Sequence, residues 1–256
     1  MATMVTFHAH PDDESIGCGG VMRKAFEDGH RVVLVVATRG EHGEVPDGFL
    51  AEDEPLWRRR VAETQAAADI LGVKRLEFLG YTDSGMMGTE TNDAPGSFWT
   101  APVEEAAGKL AAILREERAD VLTVYDDNGG YGHPDHIQVH RVGMRAAELA
   151  GTPRVYQSTI NRDHVARGLA RFAEGADLPD VTTTGKPESE ITAAVDVTEW
   201  VSYKRQAMRA HASQISDQSF FLAIPDEAFR YSFGTEWFIR AGQGPGITET
   251  DLFAGL

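Results

Sequence analysis

Short apolar runs alternate with helix-length stretches through the first two thirds of the chain, and this alternation constrains the fold more than any other feature. Residues 4–7, 31–38, 75–79, 121–125 and 154–158 are short and rich in Val, Leu or aromatics, the pattern of strands. Residues 16–27, 56–71, 103–117 and 134–149 carry apolar side chains three and four apart, which predicts amphipathic helices between those strands. Gly29 and Gly72 stand where two of these helices would end. Strands separated by helices build parallel sheets covered on both faces. The chain is therefore expected to be α/β, a three-layer, Rossmann-like, doubly wound and mostly parallel sheet. Beyond about residue 161 the pattern loosens into an irregular α+β part. There a loop is expected over 177–190, a strand over 191–197, a helix over 198–211 and an aromatic-rich tail, 220–238, forming strands or an edge against the main sheet. No linker-like composition separates the two parts. Residues 1–256 read as one domain, with 1–160 as the core and 161–256 completing its ligand pocket.

Composition narrows the partners. The chain has 256 residues, 42% of them hydrophobic, enough for one large core. Its 24 Lys+Arg against 40 Asp+Glu leave a net charge of −16, which argues against nucleic acid or an anionic membrane as the main partner. The longest apolar run, 32–37, is too short to cross a bilayer, and the first residues lack the basic and apolar stretches of a signal peptide. A single cysteine, Cys18, excludes an internal disulfide and fits a reducing compartment. A cytoplasmic protein with a small-molecule partner is expected; the oligomeric state is not set by these numbers.

Two segments carry the chemistry. The first strand runs into His8-Ala9-His10-Pro11-Asp12-Asp13-Glu14, and the fourth into Asp126-Asp127-Asn128-Gly129-Gly130-Tyr131-Gly132-His133-Pro134-Asp135-His136. In a doubly wound sheet these two strands are neighbours at the switch point, and ligands bind beyond their carboxyl ends. That geometry sets His10, Asp12 and Asp13 against His133, Asp135 and His136. Imidazoles and a carboxylate around an open position suit a catalytic zinc ion, with iron(II) or cobalt as substitutes for the same nitrogen and oxygen donors. The same residues also suit a plainer role, since Asp13 fits a helix N-cap and His133-Pro134 a helix start. Long connections over 39–55 and 80–102 exceed ordinary loop lengths and favour binding loops.

The segments Ala9-His10-Pro11-Asp12-Asp13-Glu14 and Gly132-His133-Pro134-Asp135-His136 resemble those of the PIG-L/LmbE-like zinc-dependent deacetylases. Gly40-Glu41-His42-Gly43-Glu44-Val45, Asp83-Ser84-Gly85-Met86, Asn128-Gly129-Gly130-Tyr131 and Ala210-His211-Ala212-Ser213-Gln214 resemble the branch acting on N-acetylglucosaminyl-inositol and mycothiol conjugates. The stretch after Glu14 differs from the conjugate-hydrolysing members, having no lysine before Lys24. The resemblance implies removal of an N-acetyl or other N-acyl group from an amino sugar or related small amide. It implies His10, Asp13 and His136 as metal ligands, with a fourth position for water and Asp12 as general base. His133, as imidazolium, would stabilise the oxyanion or protonate the leaving amine, Asp135 would fix its tautomer, and Tyr131 would donate a further hydrogen bond. Glu44, Arg60, Asp83 and Met86 would line the sugar pocket, although Arg60 in Arg58-Arg59-Arg60 also reads as a solvated basic face. His42, His211 and Gln214 are further candidates to reach it. A metal-dependent phosphoesterase and a non-catalytic sugar-binding relative are the competing classes.

Overall fold

The structure is a computed structural model that describes residues 1–172 and 182–256. Among the described residues, seven strands form one sheet in the order β3-β2-β1-β4-β5-β7-β6. Strands β1 (Thr3–His8), β2 (Arg31–Val36), β3 (Arg75–Phe78), β4 (Val121–Tyr125) and β5 (Arg154–Thr159) are parallel. Strand β7 (Thr235–Arg240) runs antiparallel to β5 and carries β6 (Ala193–Asp196) on its outer side. The strand order reverses between β1 and β4, which pair with Thr6 opposite Thr123. Both strands therefore end on the same edge, side by side.

Burial explains the apolar character of these runs, most complete in β2. Along β2, Val33 and Val35 face one core while Val32, Leu34 and Val36 face another. The first core is closed by α4 (Val103–Glu117) and α5 (Pro134–Ala150) through Leu110, Leu114, Val139 and Val142. The second is closed by α2 (Gly19–Glu27), α3 (Leu56–Leu71) and α7 (Val201–Ala210), through residues such as Met22, Leu71 and Ala207. A strand buried on both faces reads as a continuous apolar run. Gly72 ends α3 in the left-handed conformation.

Several elements differ from the sequence reading. The helix expected over 16–27 is two helices, α1 (Asp13–Gly17) and α2, broken at Cys18 with φ −132°. The break frees the first N–H groups of α2, and Glu236 of β7 accepts those of Gly20 at 2.7 Å and Val21 at 2.8 Å. The helix over 198–211 is a 3-10 turn, Thr198–Trp200, followed by α7. The aromatic tail contains a helix, α8 (Asp226–Phe233), and its strand β7 lies inside the sheet, between β5 and β6. Helix α6 (Arg162–Phe172) was not expected; it is short, and none of its residues is fully buried. Of the loop expected over 177–190, residues 177–181 lie outside the described residues, and the rest forms turns and a 3-10 segment, Glu188–Glu190. Among the described residues, no helix is long and apolar enough to cross a membrane.

The Glu236 carboxylate that caps α2 also takes the ammonium of Lys204 on α7, at 2.6 Å, and both side chains are buried. Removing one partner of a buried pair leaves an uncompensated charge and costs about 3–5 kcal/mol. Lys204→Met is expected to lower unfolding stability by that amount, read as a shift of the urea midpoint at constant m-value.

Candidate metal centre

Beyond His8 the chain turns sharply at Asp12, whose φ of 94° is unusual for a residue with a side chain. Such a conformation costs on the order of 1–3 kcal/mol and persists only where its surroundings hold it. Beyond Tyr125 the chain enters a glycine-rich loop organised by Asp126, which is fully buried. Its Oδ1 accepts the N–H groups of Asn128 (3.0 Å) and Gly130 (2.9 Å), and its Oδ2 accepts the hydroxyl of Thr159 (2.5 Å). Gly129 has φ 61°, and a Cβ there would lie 2.5 Å from that of His136, so the loop can pass over the imidazole because it lacks a side chain.

Two imidazoles converge on one carboxylate oxygen. Asp13 Oδ2 lies 3.4 Å from His10 Nδ1 and 3.3 Å from His136 Nε2, and also accepts the His10 N–H at 2.9 Å. His136 donates its Nδ1 proton to the carbonyl of Gly129 at 3.2 Å, and its ring stacks on Tyr125 at 4.4 Å. His10 donates from Nε2 to Asp135 Oδ2 at 3.0 Å, with Asp83 Oδ1 3.5 Å away. In their neutral forms both rings thus aim a lone pair at the space beside Asp13, each oriented by an acceptor behind it, the usual arrangement of metal-binding histidines.

This space fits a divalent cation. His136 Nε2 is buried and has no hydrogen-bond partner. His10, His133 and His136 offer donor atoms within 4.8 Å of one another, and so do His10, Asp83 and Asp135. Burial disfavours a charged His10, yet hydrogen bonds to Asp13, Asp135 and Asp83 hold its pKa well above the usual imidazole range. Burial likewise favours a neutral Asp13, but the charge of His136 and a hydrogen bond from His10 keep it well below the usual carboxylate range. The pocket draws positive charge inward, as protons on imidazole when no cation is bound.

Asp12 stands beside this group without sharing it. Its Oδ2 accepts from Arg60 Nη2 at 3.3 Å, and burial pushes its carboxyl up to about 6 against the pull of the Arg60 charge. Arg60 is buried and is no solvated face: it donates to the carbonyls of Gly40 (2.9 Å) and Pro11 (2.6 Å) as well as to Asp12. A Cβ on Gly40 would sit 2.1 Å from the guanidinium, and its φ of 68° suits glycine too. His133 caps α5, its Nδ1 accepting the main-chain N–H of Asp135 at 3.1 Å. The tautomer of His133 is thus set by the backbone of Asp135, whereas its carboxylate is turned to His10 and to the N–H and hydroxyl of Ser84. Burial and the nearby His10 and His136 push the His133 pKa down to about 4, which favours the neutral ring over the imidazolium. Tyr131 is half exposed, its ring centroid 5.0 Å from that of His136 in an edge-on arrangement.

Among the expected sugar-pocket residues, Asp83 is buried and accepts the N–H groups of Gly85 and His42. Glu44 and Met86 are exposed, and Glu44 joins the network through its carbonyl, which accepts from Gln214 at 3.1 Å. The sequence reading assigned no role to Ser84, which it named only within Asp83-Ser84-Gly85-Met86, nor to Tyr125, which ends the fourth expected strand. His211 proves to be buried against Glu14 at 2.6 Å.

The family described as PIG-L, GlcNAc-PI de-N-acetylase, matches residues 5–147, a span that takes in both histidine segments. The chain belongs to this family. The 1D-myo-inositol 2-acetamido-2-deoxy-alpha-D-glucopyranoside deacetylase of Streptomyces avermitilis is 42% identical over 285 aligned residues, covering 99% of this chain and 97% of the relative. Among solved structures, a deacetylase of the teicoplanin biosynthesis pathway superposes with a TM-score of 0.65 at 20% identity, over 95% of this chain and all of the other. The 4-carboxy-2-hydroxymuconate hydratase GalB of Pseudomonas putida gives 0.60 at 18% identity, over 98% of this chain and 99% of that one. At such identities the likeness concerns the fold.

Losing a group behind a metal ligand costs about 10–100-fold in affinity, and losing the ligand itself costs more. His136→Ala and Asp13→Asn are expected to weaken divalent-cation binding by more than about 100-fold and Asp135→Asn by less, in competition with a chromophoric chelator. A full metal complement in His136→Ala would remove it from the ligand set.

Proposed function

We propose that the protein is a metal-dependent hydrolase that removes an N-acetyl or other N-acyl group from an amino sugar or related small amide, with an N-acetylglucosaminyl-inositol as the first substrate to test. The observation that carries this reading is the orphaned, buried Nε2 of His136 facing the same carboxylate oxygen as His10, with Asp12 alongside. The likeness over nearly the full length of an inositol-glycoside deacetylase supports the substrate class. Two nitrogens and one oxygen from His10, Asp13 and His136 favour zinc, with iron(II) or cobalt as substitutes. A metal held there would supply Lewis acidity to the amide carbonyl and to the attacking water.

The remaining steps belong to the chain. Asp12, raised towards neutrality and tied to Arg60, takes the proton of the attacking water. His133, its Nε2–H fixed by the Asp135 backbone, donates to the oxyanion that develops on the amide carbonyl, and Tyr131 on the glycine-rich loop adds a second donor. The proton held by Asp12 is then available to the departing amine. Asp83, Glu44 and Met86 are assigned to the sugar side of the pocket, and Arg60 to setting Asp12. A cytoplasmic setting belongs to the same reading, supported by a single buried cysteine.

The test is amine release from N-acetylglucosamine and N-acetylglucosaminyl-inositol, with and without chelator, beside phosphate release from a nitrophenyl phosphate. Chelator-sensitive amine release is expected; phosphate release in its place overturns the reading. Asp12→Ala should keep its metal and lose turnover by a factor on the order of 10² or more. The guanidinium opposes the upward push of burial on Asp12. With that charge gone the carboxyl ionises at higher pH, so Arg60→Met should move the acid limb of the kcat/KM profile upward. An unmoved limb would dissociate Arg60 from the base.

A further inference from the structure

The strained turn at Asp12 needs something to hold it. Its N–H donates to Glu14 Oε2 at 3.0 Å, so the second residue along the chain clamps the backbone of the first. The Glu14 carboxylate is itself fully buried, and its other oxygen, Oε1, accepts the hydroxyl of Ser15 and the Nε2–H of His211, each at 2.6 Å. His211 is equally buried and lies 197 residues away, at the C-terminal end of α7. Its Nδ1 has no hydrogen-bond partner. A group optimised for packing alone would not leave a buried ring nitrogen unsatisfied; this imidazole is placed for what its other nitrogen does. The segment that carries it is fixed independently, with Ser213 donating its N–H (2.9 Å) and hydroxyl (2.6 Å) to Glu63 of α3.

We propose that Glu14 and His211 form a buried pair of positioning residues that holds the Asp12 backbone in its strained conformation and so aims the Asp12 carboxylate beside the metal centre. The inference rests on the reading of Asp12 as general base. His211 donates to Glu14, Glu14 is held as a buried acceptor, and Asp12 keeps a hydrogen bond that a relaxed turn would lose. The pair lies behind Asp12, so its loss should affect turnover more than substrate binding or metal uptake. A displacement of about 1 Å in a reacting group can cost on the order of 10²-fold in rate.

The experiment uses the full-length, metal-loaded protein and the variants His211→Leu, His211→Gln, Glu14→Gln and Ser213→Ala. Four readouts are compared: metal content, kcat and KM for the N-acetylated glycoside, and the Asp12 amide resonance in protein labelled with 15N-aspartate. His211→Leu and Glu14→Gln are expected to retain metal, hold KM within about twofold, lose kcat by about 10–100-fold and shift the Asp12 amide upfield. His211→Gln, whose side-chain amide still donates to Glu14, should recover most of kcat. Ser213→Ala should leave kcat and the Asp12 amide unchanged. Should His211→Leu fail to fold, His211→Gln and Glu14→Gln still decide the matter. The proposal is overturned if folded, metal-loaded Glu14→Gln keeps wild-type kcat and an unshifted Asp12 amide, or if activity falls only in proportion to lost metal. A wild-type protein that hydrolyses no amide would defeat the functional reading, while the amide shift would still report on the clamp.

Discussion

Everything at the candidate site follows from the parallel pairing of β1 with β4. These adjacent strands end on one edge of the sheet, and the chain leaves them in opposite directions around the switch point. His10 and Asp13 arrive from one strand and His136 from the other, and one carboxylate oxygen comes within 3.4 Å of both rings. Placing two imidazoles and three carboxylates in a buried space opposes stability, because each charged group loses its water. The surroundings offset part of that cost with fixed donors and acceptors, the Gly129 carbonyl behind His136 and the Ser84 N–H on Asp135. The part left open, at His136 Nε2, is where a cation would complete the balance.

The buried parallel sheet was legible because a strand covered on both faces carries few polar residues, so β2 stands out as an unbroken apolar run and β1 and β4 as runs interrupted by Thr6 and Thr123. The two histidine segments were legible for a related reason, since each follows such a run directly. Helices α6 and α8 were not: they have 11 and 8 residues, a few turns each, and α6 fully buries no residue while α8 buries Ala228 and Phe229. The break at Cys18 depends on Glu236, which comes from the far end of the chain. A local pattern of Gly17-Cys18-Gly19-Gly20 holds no trace of that partner. Arg60 sits among three arginines that look alike in sequence, and which of them turns inward is decided by the carbonyls of Gly40 and Pro11. For Asp135 the sequence named the residue but not the atom, since its backbone serves His133 and its carboxylate serves His10.

Fold and chemistry separate clearly in this family of shapes. A hydratase shares the fold about as well as a deacetylase does, with TM-scores of 0.60 and 0.65. The sheet therefore supplies a place for chemistry and leaves its kind to the side chains at the strand ends. In this chain those side chains are nitrogen and oxygen donors around a space that attracts a cation, next to a carboxyl raised to about 6. That set suits activation of water against a neutral amide. The 42% identity to an inositol-glycoside deacetylase, maintained along nearly both whole chains, points to the same reaction by an independent route.

The match to the PIG-L family ends at residue 147, yet much of what holds the site lies beyond it. Thr159 steadies Asp126 under the glycine-rich loop, Glu236 caps α2, Lys204 neutralises Glu236, and His211 reaches Glu14 behind Asp12. All but the Lys204–Glu236 pair join a late residue to an early one, and each involves a buried polar or charged group that would be left unsatisfied without its partner. The late residues also contribute β7 and β6 to the same sheet, with β7 paired directly to β5. The first 147 residues hold both histidine segments, and one buried carboxylate beside them, Glu14, takes its imidazole partner from the other half. A chain cut after α5 would keep the histidine segments and expose Glu14 and the start of α2 without their counter-groups. The catalytic constellation is therefore a property of the whole sheet, and the C-terminal part belongs to the active site's electrostatics as much as to its shape.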